Sequence, residues 1–599
     1  MKIVLTTLNS KFIHTSLSIR YLKAFVEDLV DVELKEYTIN QDIDYIASQL
    51  FKTNGDLIGF STYIWNLRET LRICEILKKV KPEVKILLGG PEVSFDSVEI
   101  LETYPFIDYI IYGEGEESLK EFLTSIKEGN DDFKDIKGLT YRRDNKVIMN
   151  PPRPLIRDLN IIPSPYENIG DEFNNKIVYF ESSRGCPFNC KFCLSSTIKG
   201  VRYFNIDRVK EELDKLIKAR VKQVKFVDRT FNANKKYAME IMNFIIDRNP
   251  ENINFHFEVT AHLLDDEMLD FLSNVKEGLF QFEIGVQSTN LETIDAIGRT
   301  TDFPKLKEVS KKIKSYKNIH QHLDLIAGLP YEDYGSFKKS FNDVYEIKPE
   351  KIQLGFLKLL KGSSLRIDEE KYGFKYLDIP PYEVLENNYI SYEELIRLKS
   401  IEELVEKYYN EGFFENSLEY IITNFYKTPF DFYEALSQYW EGKKYYDISI
   451  SRARLYEVLI DFYQSNEFKD LDIFKEIIKY DFLKNNKNAK LPKGLHNTKE
   501  SIGQNQVHKI LKDERILGSY LFEYRDLPTK KAIQNIKIES FHFDILKYIE
   551  DGYDFKYKLD KPNLDKPNLD NTYILFVYKD GVINRCKTYN ITDIVKEMS

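Results

Sequence analysis

The chain has 599 residues but only five cysteines and two tryptophans, and it has no long uninterrupted apolar run. So sparse and odd a cysteine set excludes the disulfide framework of a small secreted domain and predicts a reducing, cytoplasmic environment. Since no run approaches about 18 apolar residues, the sequence excludes a membrane-spanning helix. We expect no signal peptide, because the first eight residues already have the composition of a β-strand.

The overall composition is that of a soluble globular protein, with 42% hydrophobic and 30% charged residues. A chain of this length predicts about three or four domains. The formal net charge of −10 argues against a nucleic-acid scaffold, although a local basic groove is compatible with it. The substrate is therefore expected to be a small molecule or a peptide rather than a nucleic acid or a membrane.

Three of the five cysteines lie close together, at Cys186, Cys190 and Cys193. Thiolates are soft ligands that select zinc or an iron–sulfur cluster. A structural zinc site needs a fourth ligand, and the nearest histidines in the sequence are the distant His14 and His256. A [4Fe–4S] cluster normally takes four cysteines, so three would leave one iron open to another ligand. Zinc and an unrelated structural role stay open as alternatives.

This spacing, with Phe192 directly before the last cysteine, resembles the signature of the radical S-adenosylmethionine (SAM) superfamily. The resemblance implies that Cys186, Cys190 and Cys193 hold a [4Fe–4S] cluster whose open iron is chelated by SAM. It also implies that an electron from the cluster splits SAM into methionine and a 5′-deoxyadenosyl radical. Such enzymes work under anaerobic conditions and take the electron from a donor such as flavodoxin or ferredoxin.

The first 140 residues alternate strand and helix patterns, which predicts a doubly wound, flavodoxin-like α/β domain. In such a fold a ligand binds at the carboxyl ends of the parallel strands. The predicted strands are 2–8, 32–39, 57–63, 85–88 and 109–112. Three of the loops that follow them are rich in glycine and small hydroxyl residues; they are 61–63, 89–92 and 113–116.

These loops, ahead of a three-cysteine motif, resemble the cobalamin (B12)-binding domain that precedes the radical SAM domain in one branch of that superfamily. The alternative for a glycine pair alone is a tight strand-to-helix turn. The resemblance implies that the loops surround the nucleotide tail of cobalamin. The implied contact residues are Ser61, Thr62, Gly89, Gly90, Gly113, Glu114 and Gly115.

The region after the first strand departs from many cobalamin domains. They carry Asp-x-His-x-x-Gly there, with the histidine ligating cobalt. This chain has His14 without the Asp two residues before it or the Gly three residues after it. Because the partner that would orient the ring is missing, a loop or helix-capping role for His14 is favoured over ligation. The radical SAM branch commonly lacks this histidine, so cobalamin stays the expected cofactor.

A proline-rich linker is predicted over residues 141–170, followed over 171–368 by six more strand–helix units. Six units predict an incomplete (β/α)6 barrel with its chemistry at the carboxyl ends of the strands. Ion pairing with Lys225, Arg229 or Arg299 is the alternative role for the acidic residues found there. The resemblance implies that they contact SAM. The candidate residues are Asp228, Glu258, Glu283, Gln287, Ser288 and Gly328.

The last segment, residues 369–599, loses this alternation and predicts a mostly helical C-terminal domain of unknown function. A hairpin is predicted near its end, with strands at 573–578 and 582–584. The placement of the domain suggests a substrate-binding or capping role. Methylthiotransferases, another branch, bind a second cluster through three more N-terminal cysteines, and here only Cys74 precedes Cys186.

The sequence therefore predicts a cobalamin-dependent radical SAM enzyme that methylates an unactivated carbon. One rival is a radical SAM enzyme for rearrangement or cyclisation whose first domain is a scaffold without cobalamin. A rival from another class is a non-enzymatic iron–sulfur or zinc sensor, which would not need the acidic residues at the strand ends. The sequence names neither the substrate nor the oligomeric state.

Overall fold

The computed structural model describes residues 1–144, 146–167, 169–487, 489–495, 504–522, 534–553, 571–579 and 586–598. The chain divides into two compact units, one of residues 1–340 with 354–395 and one of residues 341–353 with 396–599. Among the described residues, no helix combines the length and the apolar character that crossing a bilayer requires.

The N-terminal domain is built on a seven-stranded sheet with the order β2-β1-β3-β4-β5-β6-β7. Strands β1 to β5 are parallel, and β6 and β7 are antiparallel. The strands are β1 (Lys2–Asn9), β2 (Asp31–Thr38), β3 (Leu57–Ser61), β4 (Lys85–Gly89), β5 (Tyr109–Ile111), β6 (Leu139–Arg143) and β7 (Lys146–Met149).

Helices cover both faces of this sheet. Successive side chains of a strand point to opposite faces, and accordingly Val4 joins one hydrophobic core while Ile3 and Leu5 join the other. Helices α2, α3 and α4 pack on the first core and α1 and α5 on the second. The helices are α1 (Leu17–Val26), α2 (Ile43–Lys52), α3 (Leu67–Val80), α4 (Ser97–Thr103) and α5 (Glu116–Lys127).

The flavodoxin-like prediction is confirmed for the five parallel strands, whose order 2-1-3-4-5 is that of the doubly wound fold. The hairpin β6–β7 was not predicted, and it carries the sheet past residue 140 to Met149. Beyond Asn150 the described chain to residue 176 has no strand, only short 3-10 turns such as Leu159–Ile161. The domain boundaries inferred from the sequence stay predictions.

The central domain contains a six-stranded parallel sheet with the order β15-β14-β13-β12-β11-β8. Strands that are adjacent in this sheet therefore follow one another along the chain, as the predicted incomplete barrel requires. The strands are β8 (Ile177–Phe180), β11 (Gln223–Phe226), β12 (Asn254–Glu258), β13 (Phe280–Gln287), β14 (His320–Ala327) and β15 (Lys351–Phe356).

Five of the barrel helices begin directly after an Asn or Asp whose side chain accepts a hydrogen bond from a backbone N–H of the first turn. Such caps satisfy donors that the helix itself leaves free. The capping residues are Asn205, Asn234, Asp265, Asn290 and Asp302. The helices are α6 (Ile206–Lys218), α7 (Lys235–Arg248), α8 (Asp266–Ser273), α9 (Leu291–Ala296), α10 (Phe303–Tyr316) and α11 (Tyr334–Tyr345).

Two additions flank the sheet. An antiparallel hairpin, β9 (Ser183–Cys186) with β10 (Gly200–Tyr203), lies between β8 and α6. After β15, the chain forms α12 (Ser364–Ile367), α13 (Glu369–Tyr372) and the short strand pair β16 (Lys375–Tyr376) and β17 (Val384–Glu386).

The C-terminal unit is mostly helical, as predicted, but ends in a three-stranded antiparallel sheet with the order β18-β19-β20. The predicted strand 573–578 is observed as part of β19; the predicted strand 582–584 lies outside the described residues, and β19 pairs instead with β20. The elements are α14 (Tyr392–Leu404), a π-helical turn (Val405–Asn410), α15 (Glu415–Phe425), α16 (Pro429–Gly442), α17 (Arg452–Ser465), α18 (Leu471–Asn485), α19 (Gln504–Ile510), α20 (Glu514–Ser519), β18 (Ile536–Phe541), α21 (Ile545–Glu550), β19 (Thr572–Tyr578), β20 (Cys586–Asn590) and α22 (Thr592–Met598).

Candidate active site

The three cysteines of the motif lie on one loop, residues 186–193, which we call the cysteine loop. It begins where β9 ends, at Cys186, and Cys193 caps the 3-10 turn that follows it. Gly185 has a φ of +105°, and a Cβ there would lie 2.1 Å from the carbonyl oxygen of Gly200. Only glycine fits this position, so the residue before the first cysteine fixes the closure of the hairpin β9–β10.

Each cysteine sulfur has one hydrogen-bonding partner. The hydroxyl of Thr230 lies 3.6 Å from Cys186 Sγ, and Arg299 donates to Cys190 Sγ at 3.6 Å. The backbone N–H of Ser195 donates to Cys193 Sγ at 3.4 Å. The Thr230 hydroxyl already donates to the carbonyl of Arg229 at 2.7 Å, so the donors at sulfur are those of Cys190 and Cys193. Such donors stabilise the negative charge of a thiolate or of an iron–sulfur cluster.

All three motif cysteines are free thiols, and Cys190 is buried. Within the described residues, no group of three or more His, Cys, Asp or Glu side chains is arranged to hold one metal ion. A structural zinc would need such a closed set around a single ion. Three cysteine sulfurs on one loop match the number of protein ligands of a [4Fe–4S] cluster with one iron open to another ligand.

Two backbone hydrogen bonds fasten the middle of the cysteine loop. The N–H of Lys191 donates to Ile297 and its carbonyl accepts from Leu365, both at 2.9 Å. The guanidinium of Arg299 also donates to the carbonyl of Gly285 at 2.6 Å. The loop is thus held against the carboxyl end of β13. The predicted residue Phe192 is partly buried within it.

The barrel sheet has one apolar face and one polar face. Residues such as Phe257 and Phe282 are fully buried on the first, while the alternate positions carry charged and amide side chains. On the polar face, Glu258 ends β12, and no hydrogen bond or ion pair reaches it from the described residues. Burial raises the pKa of Glu258, and the positive charge of Arg229 offsets this only in part.

Glu283, the second predicted carboxylate, is engaged in the way that the ion-pair alternative describes. Lys225 Nζ and His256 Nε2 lie 2.9 and 3.0 Å from Glu283 Oε2. Burial alone would raise the pKa of Glu283, but these two contacts outweigh it and lower the pKa to about 2. We therefore expect Glu283 to stay ionised and to orient Lys225 and His256.

Asp228, a predicted SAM contact, is fully buried and has its carboxylate engaged elsewhere. It accepts hydrogen bonds from the backbone N–H and the hydroxyl of Ser182 and from the hydroxyl of Ser183. These serines directly precede the arginine, glycine and first cysteine of the motif. Asp228 thus holds the chain entering β9, and its contact with SAM stays a prediction.

Ser288 and Gln287 form the end of β13. The hydroxyl of Ser288 is buried and donates to Glu332 Oε1 at 2.6 Å, so it is not open to a ligand. Gln287 has a φ of +68°, and its side-chain amide lies over Gly285. A Cβ at position 285 would lie 2.2 Å from Nε2 of Gln287. Gly328, with a φ of +88°, accepts a hydrogen bond from Asn387.

In the N-terminal domain, the loops after β3 and β4 are tied to each other. The N–H and the hydroxyl of Thr62 both donate to the carbonyl of Gly89 at 2.7 Å. Gly90 has a φ of +108°, and a Cβ there would lie 2.4 Å from the carbonyl oxygen of Thr62. The glycine pair is thus explained by close loop packing. The hydroxyl of Ser61 lies 3.0 Å from that of Ser18.

The loop after β5 has two different sides. Gly113 is exposed with a φ of +79°, and a Cβ there would meet nothing within 4 Å, whereas one at Gly115 would touch Leu22. Glu114, in contrast, is held by Arg202 through two hydrogen bonds of 2.7 and 3.0 Å. Glu114 thus binds the β9–β10 hairpin, and its contact with cobalamin stays a prediction.

His14 lies against the barrel rather than standing free. Its Nδ1 is 2.8 Å from the hydroxyl of Tyr179, and its backbone forms a bridge with Ile177. Burial lowers the pKa of His14. The favoured sequence interpretation, a loop role rather than cobalt ligation, agrees with these contacts.

Sequence reasoning missed Arg184, Thr230 and Asp324 as members of the site. Asp324 shares the polar face of the barrel, where its Oδ1 is buried without a partner and burial raises the pKa well above the usual value. The alternation of His320, His322 and Asp324 along β14 was a signal that could have found it. No local pattern marks Arg184 or Thr230.

Three family descriptions match consecutive parts of the chain. They are the B12 binding domain over residues 3–123, the Radical SAM superfamily over 180–344 and a protein of unknown function, DUF4080, over 370–558. The chain is a radical SAM protein with a B12-binding domain. The same three descriptions follow the order of domains that the sequence predicted.

Among curated proteins, an uncharacterized methyltransferase of Pyrococcus horikoshii is 28% identical over 53% of this chain and 70% of its own. The cobalamin-dependent radical SAM methyltransferase TokK of Streptomyces tokunonensis is 24% identical over 53% of this chain. This chain matches only 50% of the length of TokK.

Solved radical SAM structures share the fold. TsrM from Kitasatospora setae, with cobalamin and a [4Fe–4S] cluster bound, aligns with a TM-score of 0.54 and 16% identity over 64% of this chain and 78% of its own. The cobalamin-dependent radical enzyme OxsB, with aqua-cobalamin and SAM bound, aligns with a TM-score of 0.57 and 15% identity over 80% and 79%. The predicted fold class is thereby confirmed.

The residues present fit the cofactors that these domains imply. The three sulfurs on one loop suit a [4Fe–4S] cluster. Two carboxyl groups suit the ammonium of SAM, namely Glu258 at the end of β12 and Asp324, whose Oδ1 is buried without a partner among the described residues. At the carboxyl edge of the B12-binding sheet, Trp65 is 42% exposed and stacks on Tyr63 at 4.4 Å. Trp65 lies at the end of β1, where its Nε1 donates to the carbonyl of Leu8 at 3.1 Å, and the open backbone of Gly113 follows β5 at the same edge of the sheet. An exposed aromatic ring and an open backbone at this edge suit a large, partly apolar cofactor such as cobalamin.

A first prediction separates the two glycines of the B12-binding loops. Gly90→Ala places its Cβ against Thr62, whereas Gly113→Ala costs only the backbone strain of about 1–2 kcal/mol. We expect Gly90→Ala to lower both the Tm and the retention of hydroxocobalamin, measured by absorbance after gel filtration. Gly113→Ala is the matched control for positive φ in the Tm measurement only, because its open backbone lies where cobalamin is expected to bind. An equal loss of Tm in the two variants would contradict this explanation of Gly90.

A second prediction concerns pH. Burial raises the pKa of Glu332 from 4.5 to about 7, so its stabilising contribution is complete below about pH 4.5 and is lost as the pH rises through 7. The full loss amounts to about 3 kcal/mol. Glu332→Gln keeps an acceptor for Ser288 and should have a Tm that falls less between about pH 5 and pH 8. Exposed Glu292→Gln is the control, and Tm curves parallel to wild type for Glu332→Gln would contradict the prediction.

A third prediction concerns the arginine at the buried sulfur. Arg299 places a positive charge and an N–H at Cys190 Sγ, which favours the reduced, more negative state of a cluster. We expect Arg299→Gln to lower the reduction potential, measured by a redox titration followed by electron paramagnetic resonance. Exposed Lys276→Gln removes a charge elsewhere on the barrel and should leave the potential unchanged. An unshifted potential in Arg299→Gln would refute this role.

Proposed function

We propose that the protein is a cobalamin-dependent methyltransferase of the radical SAM superfamily that acts on an unactivated carbon. The observation that carries the proposal is a loop with three thiols, two of which receive hydrogen bonds from Arg299 and the Ser195 N–H, beside a barrel face with a buried carboxylate oxygen of Asp324 that has no partner among the described residues. When bound, the cluster and SAM supply a carbon-centred radical that abstracts hydrogen, and cobalamin supplies the methyl group. The substrate is a small molecule or a peptide.

The chain's own residues bind and orient the reactants. Thr230, Arg299 and the Ser195 N–H contact the three sulfurs, and Glu258 with Asp324 offers two buried carboxyl groups whose ionised forms a bound cationic group would favour. Lys225 and His256 are held by Glu283 on the same polar face, where they can contact substrate. We place the enzyme in a reducing cytoplasm, with flavodoxin or ferredoxin as its electron donor.

A second candidate is a radical SAM enzyme for rearrangement or cyclisation whose first domain is only a scaffold. Its specific support is that several loop residues expected to contact cobalamin are engaged in packing. Thr62 is tied to Gly89, and Glu114 is tied to Arg202. The open backbone at Gly113 and the exposed Trp65 favour cobalamin over this candidate.

The fourth prediction tests the proposed function by anaerobic reconstitution with iron, sulfide and hydroxocobalamin. We expect about four irons and one cobalt per chain, with 5′-deoxyadenosine formed from SAM under dithionite. Cys186→Ala should lose iron and SAM cleavage because it removes one ligand sulfur. Cys586→Ala, which removes a buried thiol outside the cysteine loop, is the matched control.

The other outcomes decide between the rivals. Four irons and deoxyadenosine without cobalt would favour the scaffold candidate. One zinc per chain without SAM cleavage would favour the sensor hypothesis and contradict both enzyme hypotheses. A methyl group transferred from labelled SAM to a candidate substrate would establish the reaction class.

A further inference from the structure

The loop of the B12-binding domain that follows β5 directs two carboxylates at the hairpin that begins the cysteine loop. Glu114 forms a bidentate pair with Arg202 on β10, with N–O distances of 2.7 and 3.0 Å. Glu116 accepts from Arg184 on β9 at 2.6 Å. Bidentate, charge-assisted hydrogen bonds of this kind are among the strongest that side chains make.

Arg184, two residues before Cys186, is held by three carboxylates at once. Its Nε donates to Glu181 at 2.9 Å and its Nη2 donates to Glu116, while its Nη1 lies 3.5 Å from Glu114. Only the forked guanidinium of arginine reaches several acceptors in this way, and lysine would present a single point charge. The side chain of Arg184 is 13% exposed, so water screens these contacts little.

The hairpin itself needs these carboxylates. Arg184 and Arg202 lie directly opposite each other in the β9–β10 register. Like charges at directly opposed positions destabilise a strand pair. Glu114 contacts both arginines, and Glu116 and Glu181 neutralise the remaining charge on Arg184. Two of the three carboxylates come from the B12-binding domain, about 70 residues earlier in the chain.

The loop after β5 keeps its backbone accessible to a ligand. Glu114 Oε2 also accepts from the N–H of Ile156 at 2.8 Å, so both of its oxygens are engaged. Gly113, directly before it, is exposed with open space where a side chain would be. The loop thus binds the hairpin through its side chains while its glycine backbone stays accessible.

We propose that Glu114 and Glu116 are positioning residues that set the place of Cys186 through Arg184 and Arg202. The inference rests on the proposed function, because it gives the B12-binding domain a second task in the same site. Correct placement of the first ligand sulfur then depends on the presence of the B12-binding domain. We call this set of four side chains the arginine clasp.

The test uses the full-length chain with Glu114→Gln and Glu116→Gln combined, which removes both charges and keeps the side-chain shapes. In metal-free protein, we expect amide hydrogens of residues 183–186 and 200–203 to exchange about tenfold faster, as a loss of about 1.4 kcal/mol would produce. Residues 223–226 of β11 should exchange at the wild-type rate. After reconstitution, the variant should retain fewer irons through gel filtration than wild type.

Glu117→Gln is the matched control. Glu117 is the other acidic residue in the first turn of α5, but its contact is to Arg153 and not to the hairpin. Its substitution removes the same favourable interaction with the helix dipole and should leave both the exchange and the iron retention unchanged. Arg184→Lys should behave like the double Gln variant, because one ammonium cannot replace the fork.

Charge exchange provides a rescue. Arg184→Glu alone should accelerate exchange of the hairpin, and adding Glu116→Arg should recover part of the loss. Wild-type exchange and iron retention in the double Gln variant would overturn the proposal. Because exchange is measured without metal or SAM, it tests the arginine clasp even where reconstitution gives zinc or no cleavage, which would contradict only the proposed function.

Discussion

A parallel sheet that does not close leaves two edges with unpaired backbone groups, and this constraint shapes the whole first unit. Exposed edges of this kind must be covered or paired. At the β8 edge, the N–H of Ile177 donates to the carbonyl of Ile13 at 2.7 Å, and the hydroxyl of Thr15 donates to the carbonyl of Ile177 at 2.9 Å. Beyond β15, Leu359 pairs with Tyr382, whose hydroxyl is bound by Glu92. The B12-binding domain therefore pairs with the β8 edge and, through Glu92, anchors a segment that pairs with the chain just beyond β15.

This closure decides which parts of the B12-binding domain remain for a ligand. Three side chains in the loops after β1, β4 and β5 are already bound elsewhere: His14 to Tyr179, Glu92 to Tyr382 and Glu114 to Arg202. Among the described residues at the carboxyl edge, the open backbone of Gly113 and the exposed ring of Trp65 are still available. A cofactor bound there would be held by shape and main-chain contacts more than by charge. The same sequence features therefore agree with both hypotheses about the first domain, a cobalamin-binding domain and a scaffold without cobalamin.

Much of the fold follows from the sequence because the parallel strands are continuous buried runs or clean alternations. Strands β1, β3 and β4 are apolar on both faces, and β14 alternates His320, His322 and Asp324 with buried leucines. The hairpins β6–β7 and β9–β10 were not predicted because their strands are short and carry arginines and lysines, a composition that is also typical of loops. Antiparallel strands of four or five residues have little pattern to detect.

The sequence predicted which residues carry the chemistry of the site but not which other residues they contact. The three cysteines and the glycine loops are local patterns, so spacing alone identified them. The role of Glu114 depends on Arg184 and Arg202, which are 70 and 88 residues away, and no local rule connects them. Asp228 is similar, since its partners Ser182 and Ser183 are 46 and 45 residues away. Carboxylates near a glycine loop or a strand end are equally suited to a ligand and to an arginine.

The electrostatics of the polar barrel face favour a cationic ligand. A buried charge is costly unless it is paired, and Glu283 meets that requirement with Lys225 and His256. Glu258 and the Oδ1 of Asp324 have no such partner among the described residues, and burial raises the pKa of both. A positive group placed between them would lower those pKa values and so bind more tightly to the ionised pair. The ammonium and sulfonium of SAM carry that charge, and Arg299, close enough to lower the pKa of Asp324, joins this face to the buried cysteine.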